Sequence, residues 1–364
     1  AGMLNDLAAS LGATIVQTGL LVTWGAVVLC FGSPIMATLT TRVDRRTLLA
    51  GSALVMALTN LASALAPDYT TLLIIRLIML VGAAPFTPQA AGTIAMMVSE
   101  KERPSSIAFI FIGWSLSLAV GLPVISALAA QIGWRASYAA LGAAALLVTG
   151  LLIYGLPAGL RGAPMSLKSW GEVARNKRIL LILSVTAILV TGQFAIFTYL
   201  APLLTRYAGA SVATIGAFFA AFGVAGLIGN IVGTRIVGVL GTLKTEYLFM
   251  VATLSGSIVW AVGFGLLPAM FVAASLIGLG FASINSMQQA RLVGAAPQLA
   301  SGTIALNTSC IYIGQALGSG VGGMLFQADQ IGLLNIAAIV LVLIAMAVLF
   351  TTRASGEPMW GFAR

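Results

Sequence analysis

Residues 332–352 read GLLNIAAIVLVLIAMAVLFTT, a run without a single charged side chain. At about 1.5 Å of rise per residue, a helix of that length crosses the roughly 30 Å hydrocarbon layer of a bilayer. Working outward, stretches of the same kind lie near 14–40, 47–66, 70–98, 104–130 and 136–156, and again near 179–205, 212–238, 246–267, 269–293 and 300–327. The 364 residues are 60% hydrophobic and 7% charged, with a mean hydropathy of +1.06. An ordinary soluble domain carries about 25% charge. The composition therefore indicates an all-α membrane protein with eleven spans and excludes a soluble enzyme. Two cysteines and no histidine build neither a disulfide framework nor an ordinary zinc or haem site, so neither metal nor cofactor is expected.

The charges sort by side. Arg42, Arg45, Arg46, Lys101, Arg103, Arg161, Lys168, Arg175, Lys177, Arg178, Arg235, Lys244, Arg291, Arg353 and Arg364 fall on one set of alternate loops, fifteen of the eighteen cations. Only Arg135 and Arg206 fall on the other set, and Arg76 lies within a span. The positive-inside rule makes the first set cytoplasmic, with the C-terminus inside and the start of the chain outside. The net charge of +9 thus reads as topology and lipid contact, with no nucleic-acid partner expected.

An offset of 199 residues aligns Leu77-Ile78 with Leu276-Ile277, Leu80 with Leu279, Ala83 with Ala282, Gln89 with Gln288 and Ala91 with Ala290. The same offset sets Gly121 on Gly320 and Gln131-Ile132-Gly133 on Gln330-Ile331-Gly332. One register held over both segments indicates a repeat, in which the first half lacks its first helix. The expected organisation is an N-terminal bundle over 1–156, a basic linker over 157–178, a C-terminal bundle over 179–353 and a tail over 354–364. Leu167, Trp170, Val173 and Ala174 recur at helical spacing among the linker cations, which suits either an amphipathic helix on an anionic leaflet or a solvated linker.

Two six-helix parallel repeats joined by a basic loop resemble the major facilitator superfamily, and the motifs resemble its twelve-span drug:proton antiporter and sugar-efflux branch, which includes arabinose efflux permease-like proteins. Residues 37–46, Ala-Thr-Leu-Thr-Thr-Arg-Val-Asp-Arg-Arg, resemble the family's gating loop. Arg42, Arg45 and Arg46 match it; Thr41 stands at its Asp position and Ala37 at its first Gly, with Asp44 in the same turn. Arg76, followed by Gly82, Ala83 and Ala84, is similar to the family's arginine in the fourth helix. Gly113-Trp114 and Gly121-Leu122-Pro123 resemble the antiporter motif of spaced glycines ending in Gly-x-Pro, which in the family accompanies export. Asn230, Gly233 and Thr234-Arg235 look like a second copy of the gate, and Thr198-Tyr199-Leu200-Ala201-Pro202 like the aromatic, proline-broken end of the seventh helix.

The resemblance implies gating roles for Arg42, Asp44, Arg45, Arg46, Gly121, Pro123, Tyr199, Asn230 and Arg235. Lipid phosphate binding explains the arginines equally well, and small-residue helix packing the glycines. Polar groups within spans are costly unless they face a cavity or one another, and aromatic rings suit an amphipathic solute. The expected solute contacts are Trp24, Arg76, Phe86, Gln89, Trp114, Gln193, Phe197, Asn285, Gln288, Tyr312 and Gln315. Helix–helix glue is the alternative for the polar and aromatic residues, and snorkelling to the outer face for Arg76.

Proton-coupled export needs a carboxylate that changes charge inside the membrane. Asp6, Asp44, Asp68, Glu100, Glu102, Glu172, Glu246, Asp329 and Glu357 all fall in loops, at span ends or in the tail. The expectation is a secondary transporter of the bacterial inner membrane, exporting a small organic solute by proton antiport and alternating access. The alternatives are an uncoupled facilitator, or a transporter-derived subunit of a membrane complex whose neighbour supplies a helix.

Overall fold

The computed structural model describes Leu7 and residues 10–13, 15–40, 42–162 and 167–352. Asp6, Thr41, Arg353, Glu357, Arg364 and the tail over 354–364 lie outside the described residues, as does the side chain of Pro123.

The elements are α1 (Ile15–Leu39), α2 (Arg45–Ala64), α3 (Tyr69–Ala83), α4 (Phe86–Met97), α5 (Arg103–Leu116), a π turn (Ser117–Gly121), α6 (Leu122–Gly155), α7 (Leu167–Arg175), α8 (Lys177–Phe197), α9 (Leu200–Ala208), α10 (Val212–Val262), α11 (Leu267–Ala295), a 3₁₀ turn (Pro297–Leu299), α12 (Ala300–Gln327) and α13 (Ile331–Thr351). Eight helices among the described residues are long and apolar enough to cross a membrane, and one of them, Ala213–Val262, is divided at Gly241.

Polar residues set the helix starts. Asp44 accepts from the N–H groups of Arg46 and Thr47, Asp68 from that of Thr71, Asn176 from those of Arg178 and Ile179, and Ser211 from that of Thr214. Each satisfies backbone donors that the first turn leaves free. Gly241 at φ 77° and Gly133 at φ 82° break α10 and α6. The loop expected between 238 and 246 is thereby reduced to one residue in a backbone region that only glycine enters at little cost.

Two expected spans are interrupted. Residues 70–98 form α3 and α4, and residues 179–205 form α8 and α9. Apolar composition continues across both, so periodicity does not show them; Pro85 marks the first, and the second is the proline-broken end read at 198–202. Within α1, Pro34 offers no N–H to the carbonyl of Cys30, four residues earlier; the hydroxyl of Ser309 donates to that carbonyl instead. The Cys30 thiol lies 3.9 Å from the carbonyl oxygen of Ser309.

Contacts group the chain into two compact units. Unit 1 comprises Ala1–Thr93, Leu122–Trp170 and Gln298–Tyr312; unit 2 comprises Ile94–Gly121, Gly171–Pro297 and Ile313–Arg364. In unit 1, α2 packs on α3 and α6, and α1 on α3. Leu72, Trp134 and Tyr138 form a core there, and Trp134 Nε1 donates to Ser10 Oγ at 2.7 Å. In unit 2, α10 packs on α5, α11 and α13, and α8 on α11 and α13. A Cβ added to Gly229 would stand 2.0 Å from the carbonyl oxygen of Leu279, and one on Gly278 2.4 Å from that of Phe222. Glycine therefore lets α10 and α11 meet backbone to backbone.

Candidate functional site

Within unit 2, α8, α10, α11 and α13 enclose a cavity whose wall includes Gln193, Phe197, Phe218, Phe222, Trp260 and Phe281. Phe197 is the hub. Its ring centroid lies 5.1 Å from that of Phe222, 5.7 Å from Phe219 and 6.3 Å, stacked, from Phe281. Two polar groups of the wall are already committed: Ser257 Oγ donates to the carbonyl of Thr253 at 2.9 Å, and Trp260 Nε1 to Asn335 Oδ1 at 3.2 Å. Gln193 differs, since its Nε2 is buried without a hydrogen-bond partner among the described residues. Among the described residues, no charged side chain lines this cavity. Asn285 sits one turn past Phe281 and donates to that residue's carbonyl at 3.3 Å.

Gln89 and Gln288, the pair matched by the repeat, both hold arginines. In unit 1, Arg45 is 1% exposed and donates to Gln89 Oε1 and, at 3.2 Å, to Ser301 Oγ. Its Nε has no partner. The backbone N–H of Arg45 donates to the carbonyl of Leu160 at 2.8 Å, and Asp44 Oδ2 accepts from the N–H of Gly159 at 2.6 Å, so the segment after α6 is strapped onto the start of α2. Farther along, Trp170 Nε1 donates to Thr38 Oγ1 at 3.0 Å. A Cβ on Gly162 would strike the Arg45 guanidinium, so the strap lies flush against it. Desolvation pushes the Asp44 carboxyl up, but the N–H groups of Thr47, Gly159 and Arg46 and the charge of Arg161 outweigh it; the group sits below the usual aspartate range. Arg42 is exposed and Arg46 partly so.

In unit 2, Gln288 Nε2 donates to the carbonyl of Ile182 at 3.2 Å, and its Oε1 accepts from Arg291 at 3.4 Å. Arg291 also pairs with Glu246 at 2.8 Å. The sequence places Glu246 at a span end and Arg291 on a basic loop; the structure buries both and joins α10 to α11 through them. Asn230 is fully buried, accepting from Ser286 Oγ at 3.3 Å, and Arg235 is exposed.

Arg76 is partly buried in unit 1, where it donates to Asn60 Oδ1 at 3.1 Å and lies 5.0 Å from the ring of Tyr138. Two uncharged groups thus offset its desolvation. Asn60 escaped the sequence reading, although a polar residue inside the apolar run 47–66 carries the same signal as Gln89. At the other end of unit 2, the Tyr199 hydroxyl donates to the carbonyl of Ser319 at 2.8 Å and its ring stacks on Phe326. Nearby, the Tyr207 hydroxyl donates to Asp329, a bond that pushes it above the usual tyrosine range, and Arg206 pairs with Asp329 at 3.4 Å. Trp24 and Trp114 are exposed, Phe86, Tyr312 and Gln315 half-buried, and Gly121 closes the π turn.

Comparison with known proteins agrees with this architecture. The Major Facilitator Superfamily model matches residues 1–319. The inner membrane transport protein YdhP of Escherichia coli K12 is 28% identical over 90% of this chain and 84% of its own. A probable sugar efflux transporter of Mannheimia succiniciproducens is 24% identical over 96% of this chain and 87% of its own. The crystal structure of the human organic anion transporter MFSD10 superposes with a TM-score of 0.78 at 16% identity, covering 96% of this chain and 88% of that one. The chain belongs to the major facilitator superfamily, whose members are multi-pass membrane transporters of small molecules.

Proposed function

We propose that the protein exports a small, amphipathic organic solute, drug-like or sugar-like, by proton antiport and alternating access in a bacterial inner membrane, with its C-terminus cytoplasmic. The observation that carries the substrate class is the unit 2 cavity: five aromatic rings, one uncommitted amide on Gln193 and no ionised side chain. Such a wall buries a flat apolar body and orients one polar group, whereas an anion, which the negative ring faces repel, would shed its hydration there without compensation. Gly113-Trp114 and Gly121-Leu122-Pro123 support export by their resemblance to the antiporter motif, as does the sugar efflux relative.

In this reading Gln193, Phe197 and Asn285 serve the solute. Arg45 with Gln89, and Arg291 with Gln288, serve the inner gates of the two repeats, with Arg42, Asp44, Arg46, Asn230 and Arg235 around them. Tyr199 closes the outer end. Reconstituted in liposomes that hold a pH-sensitive dye, the protein is expected to show proton flux that depends on added solute, tested with a panel of neutral aromatic glycosides and lipophilic anions. Silence across the panel would defeat the antiport reading, and a response confined to the anions would defeat the substrate class.

A further inference from the structure

Around Gly241, unit 2 gathers buried polar groups from four helices. Glu246, in the helical segment that follows the break, has no exposed side-chain surface and is the only buried carboxylate among the described residues. Its Oε2 accepts from Arg291 Nη1 at 2.8 Å. Arg291, on α11, reaches two neutral acceptors as well: Gln288 Oε1 at 3.4 Å and, through Nη2, Thr352 Oγ1 at the end of α13. Gln288 carries the network to α8 through the carbonyl of Ile182. Among the described residues Glu246 Oε1 has no hydrogen-bond partner, and Thr245 Oγ1 and Gln289 Oε1 are likewise buried without one.

This is an unevenly satisfied ion pair. A buried pair repays its desolvation only when the remaining lone pairs are also met, and here one carboxylate oxygen is not. A proton on that oxygen removes the negative charge and turns an orphan acceptor into a donor. The guanidinium then keeps Gln288 and Thr352. Arg291 therefore has neutral acceptors in either protonation state, and the change between the states loosens or tightens the tie between α10 and α11.

Few other charges compete for the carboxylate. The ionisable groups on the packed elements are Arg103 on α5, Arg291 on α11 and Lys177 and Arg178 at the exposed start of α8; α13 has none. On α10 itself they are Arg235, Lys244 and Tyr247. Of these only Arg291 bonds to Glu246.

We infer that Glu246 is a proton-binding site of the transport cycle, its ion pair with Arg291 opening when Oε1 is protonated and re-forming when the proton leaves. The step forms one O–H bond from hydronium and releases one water; no electron moves. Its place in transport rests on the antiport reading, but the binding of the proton does not. It supplies a protein-buried carboxylate where the sequence, read by itself, shows only a span end.

Infrared difference spectra of the purified protein, recorded during a pH titration without any solute or gradient, test it. The expected result is a reversible carbonyl band at the frequency of a carboxylic acid out of contact with water. It should vanish in Glu246→Gln and persist, displaced, in Glu246→Asp, which covers the case of a poorly folded Gln variant. A band unchanged in Glu246→Gln, or no such band in the wild type, overturns the site. With the site present, the dye-loaded liposomes should lose solute-dependent proton flux in Glu246→Gln while solute exchange continues. If wild-type liposomes show the band but no proton flux, the site stands and the antiport reading falls.

Discussion

The hydroxyl of Ser309 on α12 donates to the backbone carbonyl of Cys30 on α1, the carbonyl that Pro34 leaves without a helical donor. A side chain 279 positions away thus completes the hydrogen bonding of a proline-interrupted span. Ser309→Ala is expected to lower stability by about 1 kcal/mol, a typical value for a hydrogen bond between membrane helices. Thermal unfolding in detergent checks it. Thr308→Ala is the control, because among the described residues Thr308 Oγ1 bonds within its own helix, to the carbonyl of Ile304.

Gly229 and Gly278 bring the backbones of α10 and α11 together. Gly229→Ala or Gly278→Ala forces the helices apart and should cost about 1–3 kcal/mol, the usual range for overpacking. Gly238→Ala meets nothing within 4 Å and should raise stability by a few tenths of a kcal/mol through helix propensity alone. The opposite signs, read by the same unfolding measurement, isolate the contact from the chemistry of the substitution.

Gln193→Leu removes the cavity's uncommitted amide. For a solute that presents a hydrogen-bond acceptor, the apparent KM should rise by roughly tenfold, the equivalent of one modest hydrogen bond. An analogue lacking the acceptor should show no change. Equal losses for both solutes would mean that Gln193 shapes the wall without touching the solute.

Asp44 pins the strap after α6 through the N–H of Gly159. Its folded-state pKa is depressed, so its stabilisation is complete above the ordinary aspartate range and disappears as pH falls through the folded value. Proteolytic cleavage within residues 157–162 should therefore accelerate on acidification. Asp44→Asn can still cap α2 but loses the second acceptor oxygen, so cleavage should already be fast at neutral pH and respond less to acid.

What could be read in the chain follows from the range of each interaction. Spans are local patterns, and residues 332–352 announce a membrane helix by composition alone. The break between α3 and α4 does not show in hydropathy, which stays apolar on both sides of it; Pro85 is its local mark. Polar residues within apolar runs mark Gln89, Gln193 and Gln288 alike; which of them meets a cavity and which meets an arginine depends on helix rotation and packing. Glu246 looks like the polar edge of a span because its partner, Arg291, lies 45 positions away. The repeat register pairs Gln89 with Gln288, and both turn out to bind arginines, yet only the second arginine has a carboxylate.

The meeting of α1 and α12 has a practical consequence. Cys30 touches Ser309, Cys310 follows it, and the chain contains no other cysteine. A maleimide or a short bifunctional thiol reagent therefore reads this one seam in the unmodified protein. Labelling rates there report how often α1 and α12 separate, with no cysteine introduced and none removed.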